Sequence, residues 1–129
     1  MKMLAHQEGL AVIATVETAD LPKDTIVEIT GDETVDKAAA GAAPIGRLVV
    51  APADANGQGT VETRFKELVE MEGDGILAAG ALVKLGTISP TTALHTAAAW
   101  SEGVDGHALL FGVVWKGGAD EATIKVLTY

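Results

Sequence analysis

The feature that most constrains how this chain can fold is a strand pattern that occurs twice. Leu21-Pro-Lys-Asp-Thr-Ile-Val-Glu-Ile29 is answered by Leu77-Ala-Ala-Gly-Ala-Leu-Val-Lys-Leu85: a leucine, a turn, then an alternating strand with valine at the same place. Further on, Gly46-Arg-Leu-Val49 resembles Gly112-Val-Val-Trp115, and Thr60-Val-Glu-Thr63 resembles Thr123-Ile-Lys-Val126. The three matches keep their order and have similar offsets, so each half reads as strand, long excursion, Gly-led strand, loop, strand. A half of this kind leaves strand edges and a face uncovered, and the two are expected to close on each other.

The other strand signals agree. Leu10–Val16 is apolar and β-branched, Thr25–Thr30 alternates, and Arg47–Val50, Thr60–Thr63, Ala81–Leu85, Leu109–Trp115 and Ala122–Thr128 are short apolar runs. They are separated by Gly, Pro, Asp and Asn clusters about ten residues apart, the spacing of a sandwich or barrel. The turn formers in Ala51–Gly59 and Lys116–Asp120 suit tight connections. Two segments are ambiguous. Arg64–Glu72 places Phe65, Leu68 and Val69 at helical spacing, but it also continues the preceding strand if a bulge falls near Lys66; strand is the expectation. Asp36–Ala43 is expected to be a short strand or turn, because Gly41 and Pro44 limit a helix. The expected fold is all-β: a small β-barrel or β-sandwich of two pseudo-repeated halves, about 21–63 and 77–126. Residues 1–8 form a short extended N-terminal arm and 9–129 a single β-domain.

A chain of 129 residues buries roughly two-thirds of its unfolded surface on folding, enough for a core without metals or disulfides. Cysteine is absent, which removes disulfides, thiol nucleophiles and thiolate metal sites. The formal charge is −9, and nine Lys and Arg are scattered along the chain; neutralising a phosphate backbone needs clustered cations, so nucleic-acid binding is not expected. Hydrophobic content is 48% but aromatics are 4%, so the core must come from Val, Ile and Leu. The many alanines are filler or surfaces that lie flat on a partner. Polar His6-Gln-Glu8 soon follows Met3-Leu-Ala5, too short an apolar stretch for a secretory leader, and no apolar run is long enough to span a bilayer. A soluble protein, not bound to membrane and kept in the cell that makes it, is the expectation.

Catalytic constellations do not emerge. The two serines, Ser89 and Ser101, lie outside any Gly-x-Ser-x-Gly elbow. His6, His95 and His107 lie far apart, and none has a second histidine at i+2 or i+4. No Gly-x-x-x-x-Gly-Lys-Thr/Ser or Gly-x-Gly-x-x-Gly sequence occurs, so a phosphate-cradling loop is not indicated. Asp54-Ala-Asn56-Gly-Gln-Gly59 begins like a calcium loop but lacks the distal glutamate, so a polar hairpin loop is expected. Glu67, Glu70, Glu72 and Asp74 form an acidic run that reads as a solvated face and is the one foothold for an enzyme. No cofactor, metal or catalytic residue is expected. The candidates for a partner or subunit interface are the segment before the first strand, with Met1, Lys2, Met3, Leu4 and His6, and the two tryptophans, Trp100 and Trp115, since large aromatics anchor interfaces.

Taken together, Glu8-Gly-Leu-Ala-Val-Ile-Ala-Thr15, Leu21–Gly31, Ala43-Pro-Ile-Gly-Arg-Leu-Val49, Gly59–Thr63, Ala78–Lys84, Phe111-Gly-Val-Val-Trp115 and Ala122–Leu127 resemble the head decoration, or cement, proteins of tailed bacteriophages. These are signatures of turns and strands that cover nearly the whole chain. The resemblance implies a β-barrel or β-sandwich on the outer surface of the virion's expanded capsid. It also implies a homotrimer that clamps neighbouring subunits of the major capsid protein, made in the host cytoplasm. A phage tail or spike β-domain that binds a host receptor is the alternative.

Overall fold

The computed structural model describes residues 2–7, 10–63 and 66–128, with side chains described for 10–63 and 67–128. Among the described residues eleven strands carry the fold: β1 (Lys2–Gln7), β2 (Leu10–Val16), β3 (Ile26–Gly31), β4 (Thr34–Lys37), β5 (Gly46–Val50), β6 (Gly57–Thr63), β7 (Lys66–Asp74), β8 (Leu82–Ile88), β9 (His95–Ala99), β10 (Gly112–Lys116) and β11 (Thr123–Thr128). Among the described residues the helical structure is one 3-10 turn, His107–Leu109. The expected all-β class and its two related halves are what the structure contains.

The halves close differently from the expectation. Each half makes its own five-stranded barrel. The first runs β2-β4-β3-β5-β6 and returns to β2. The second runs β7-β11-β10-β8-β9 and closes through β7–β9, with β1 added to β7. The closing pair in each barrel is parallel: Thr15 and Val16 beside Thr34 and Val35, and Gly73 and Asp74 beside Ala97 and Ala98. These short parallel bridges remove the open edges that made closure of one half on the other look necessary. They join residues distant in sequence, so strand pattern gives no hint of them.

The duplication is therefore complete: β2 to β6 correspond in order to β7 to β11. The Leu21/Leu77 and Gly46/Gly112 matches hold, since Val27 faces Gly46 and Val83 faces Gly112. The third match is displaced by two residues. Gly46 lies opposite Thr63 and Gly112 opposite Thr128, so Thr63 corresponds to Thr128 and Val61 to Val126. A shift of two keeps each side chain on its face, which is why the slipped match still looked regular. Both glycines are dictated by close approach: a Cβ on Gly46 would sit 2.2 Å from the Glu62 carbonyl oxygen, and one on Gly112 would sit 2.3 Å from that of Leu127.

The cores follow strand alternation. Ala14, Val16, Leu21, Val27, Val35, Leu48 and Val61 fill the first barrel. Val69, Met71, Val83, Leu85, Ala97, Val114, Ile124 and Val126 fill the second, with Leu77 and Phe111. Ile26 and Ala38 belong to the first half but pack into the second cluster, with Ala42 against it. Hydrogen bonds fix that seam: Gly41 N–H donates to Leu85 O at 2.8 Å, and His95 Nε2 lies 2.6 Å from Ala38 O. Within the Ala-rich 38–43 segment, Ala38 and Ala42 pack against the chain's own second barrel, while Ala39, Ala40 and Ala43 are exposed. As expected, Asp36–Ala43 is part strand and part turn, and Lys66–Asp74 is strand. Arg64 and Phe65 lie outside the described residues. The bulge expected near Lys66 falls at that undescribed junction; the β1–β7 ladder has a register shift of its own between Met3 and Ala5. The Leu109–Trp115 run starts as the 3-10 turn, and its strand begins only at Gly112.

Candidate partner interface

Of the residues singled out in the sequence, Lys2, Met3, Leu4 and His6 fall on β1. Lys2 is paired with Glu70, Met3 with Val69 and His6 with Glu67, antiparallel. The N-terminal segment is thus extended and has a place in the fold, as the sixth strand of the second sheet; its side chains and Met1 lie outside the described set. Trp100 is half-buried and works locally. Its Nε1–H donates to Gly106 O at 3.0 Å and its ring lies 5.5 Å from that of His107. Ser101 N–H and Lys84 Nζ both donate to Asp105 and close the same loop. The hydrogen bond to Lys84 also holds the Asp105 carboxyl below its ordinary range, with that to Ser101 adding to it. Trp115 is different: it stands on β10 with 63% of its surface exposed.

The acidic run is not a uniform solvated face. Glu67 is buried, and Arg47 Nε approaches its Oε1 to 2.8 Å, an ion pair without hydrogen-bond alignment. Arg47 Nη2 donates to Glu62 Oε2 at 2.9 Å and Nη1 to Asp24. Burial opposes the guanidinium charge, but Glu67, Asp24 and Glu62 outweigh it and hold Arg47 above its ordinary pKa. Arg47, Asp24 and Glu62 belong to the first barrel and Glu67 to β7, so the cluster pins one barrel to the other. The corresponding places in the second barrel are apolar, Val113 for Arg47 and Leu127 for Glu62. Sequence pattern could have flagged Arg47 as a charge within an apolar Gly-led run.

A surface hollow of about 530 Å³ is lined by Glu70, Glu72, Glu121, Thr91, Thr92 and His95 among others. Its one serine neighbour is already committed. Ser89 Oγ donates to Glu72 at 2.5 Å and accepts from the amides of Thr91 and Thr92. It therefore caps a turn instead of presenting a free nucleophile. Ala38 O can only accept, so His95 Nε2 carries the proton and faces it. Burial lowers the His95 pKa and Lys37 adds to this, against the opposing pull of Ala38 and Glu28. Among the described residues no group of three or more His, Asp or Glu is placed to hold a metal.

The surface that looks built for a partner is the outer side of β2. Ile13 is 73% exposed there and faces Thr60, which faces exposed Val50, while Leu10, on the core-facing side at the strand's end, is 69% exposed. On one side β2 is paired with β6 from Leu10 to Val16, whereas on the other β4 reaches only Thr15 and Val16.

The double-barrel architecture is shared with a phage protein. It matches the head fiber gp8.5 N base of bacteriophage phi29 over 93% of both chains, with a TM-score of 0.57 and 12% sequence identity. At that identity the likeness is one of fold. No protein-family model and no curated protein matches the sequence.

Proposed function

We propose that this chain is a capsid decoration protein of a tailed phage. It binds the outer surface of the expanded shell and stabilises contacts between major capsid protein subunits. The observation that carries the proposal is the end-to-end fold likeness to a phage head protein base; the strand-and-turn resemblance to decoration proteins agrees with it. In this reading residues 9–129 act as one β-domain, and residues 1–8, with Lys2, Met3, Leu4 and His6, are an arm that meets the shell. Trp115 is an exposed anchor and Trp100 shapes its neighbouring loop. Three copies assemble as a homotrimer. A shell presents one surface many times, so modest contacts add through multivalency, and a symmetric trimer presents three of them at once. The net charge of −9 suits an exterior that needs no DNA or membrane contact. The protein is made in the host cytoplasm and ends on the virion.

Quantitative mass spectrometry of purified virions tests this, together with co-sedimentation on expanded and immature shells. Copy number in proportion to the major capsid protein, binding to expanded shells only, and weakened binding by Trp115→Ala with unchanged thermal stability are expected. Trace copies would sink the proposal, and labelled density at a single vertex in electron micrographs would replace it with the tail or spike reading.

A further inference from the structure

The duplication exposes a difference between the two barrels. In the second barrel, β7 is flanked on its β9 side by β1 over Lys66–Glu70. In the first, the corresponding side of β2 carries nothing before Thr15 among the described residues. The direction of the backbone groups is settled by β4: Thr15 N–H donates to Glu33 O at 2.9 Å, and Glu17 N–H to Val35 O at 3.1 Å. Backbone groups alternate along a strand, so those of Ala11 and Ile13 point to the same side and meet no strand there among the described residues. Their counterparts on β7, Leu68 and Glu70, face Ala5 and Lys2 of β1.

Natural sheets defend such an edge with lysine, proline or a bulge. Leu10-Ala-Val-Ile-Ala14 has none of these and carries no charge. It is also complementary to itself when reversed. A two-fold axis at Val12 sets Leu10 against Ala14, Ala11 against Ile13 and Val12 against its own copy, so the leucine and isoleucine each meet an alanine and the two valines meet each other. The hydrogen-bonding parity agrees. Ala11 and Ile13 become hydrogen-bonded pairs across the axis, and Val12 the non-hydrogen-bonded pair on it.

We infer that the free edge of β2 is a docking site for a second copy of this chain, joined antiparallel through Leu10–Ala14 about a two-fold axis at Val12. Such a contact is isologous and closes at two copies. In a shell-bound trimer it would link one trimer to the next.

The chain has no cysteine, so engineered thiols read the register directly. Across the axis, Ala11 and Ile13 would have Cα atoms about 5.5 Å apart, within disulfide range, whereas each residue would lie about 9 Å from its own copy, outside it. Ala11→Cys and Ile13→Cys are oxidised separately and then as an equimolar mixture of the full-length variants. A covalent dimer in the mixture, with little in either sample alone, is expected. Backbone amide exchange in the unmodified protein gives a second reading: Ala11 and Ile13 should slow as concentration rises, while Val12 and Ala14, bonded towards β6, should not change. Equal cross-linking in all three samples, none in any, or concentration-independent exchange at Ala11 and Ile13 overturns the inference.

Discussion

Replacing Arg47 by methionine would remove the cation on which Asp24, Glu62 and Glu67 converge. The consequence depends on how much water can reach them. An exposed ion pair contributes about 0–1 kcal/mol, whereas removing one partner of a buried pair costs about 3–5 kcal/mol. Here the Arg47 side chain is 6% exposed and that of Glu67 0%, so the buried range applies. The expected loss is about 3–5 kcal/mol, or roughly 10–20 °C in Tm for a chain of this size. Urea denaturation followed by circular dichroism measures it as a fall in midpoint at constant slope. The second barrel also shows an apolar solution, with Val113 and Leu127 at the places of Arg47 and Glu62. Arg47→Met combined with Glu62→Leu and Glu67→Leu should therefore recover to within about 1 kcal/mol of the parent, since apolar replacement of a whole buried ion cluster is often neutral or better. Asp24, at 19% the most exposed of the three acids, keeps partial access to water. A single-variant loss below about 1 kcal/mol, or a triple variant no better than the single, would refute the claim that a buried cluster joins the barrels.

Two further outcomes are expected. The His95 pKa is lower when folded than when unfolded, so the unfolded chain binds the extra proton first. Stability should be full above the unfolded value of about 6.5 and fall as pH drops below it. Comparing midpoints at pH 7.5 and 5.5 for the parent and His95→Gln checks this, with the smaller drop in the variant. Gly46→Ala and Gly112→Ala should each cost about 2 kcal/mol or more, because the new methyl meets a neighbouring backbone that cannot yield. Gly106→Ala, with nothing within 4 Å of its Cβ, should stay within about 0.5 kcal/mol in the same melt.

Sequence by itself determined the local chemistry. The alternation in Thr25–Thr30, the Gly-led runs at Gly46 and Gly112 and the apolar Leu10–Val16 became β3, β5, β10 and β2, because period-two burial and close strand approach act over a few residues. The doubled order of these signals was legible for the same reason. Tertiary structure decided the rest. The β9 strand, His95–Ala99, is alanine-rich with little strand propensity of its own, and it is imposed by pairing with β8 and β7. Glu67 looked like part of a solvated run, yet a cation from the other barrel holds it inside. Whether the halves close together or separately turned on two short parallel bridges whose partners are far apart in sequence. The exposed side of β2 became visible only when one barrel could be laid against the other, since a free edge is defined by the neighbour it lacks and not by the residues that form it.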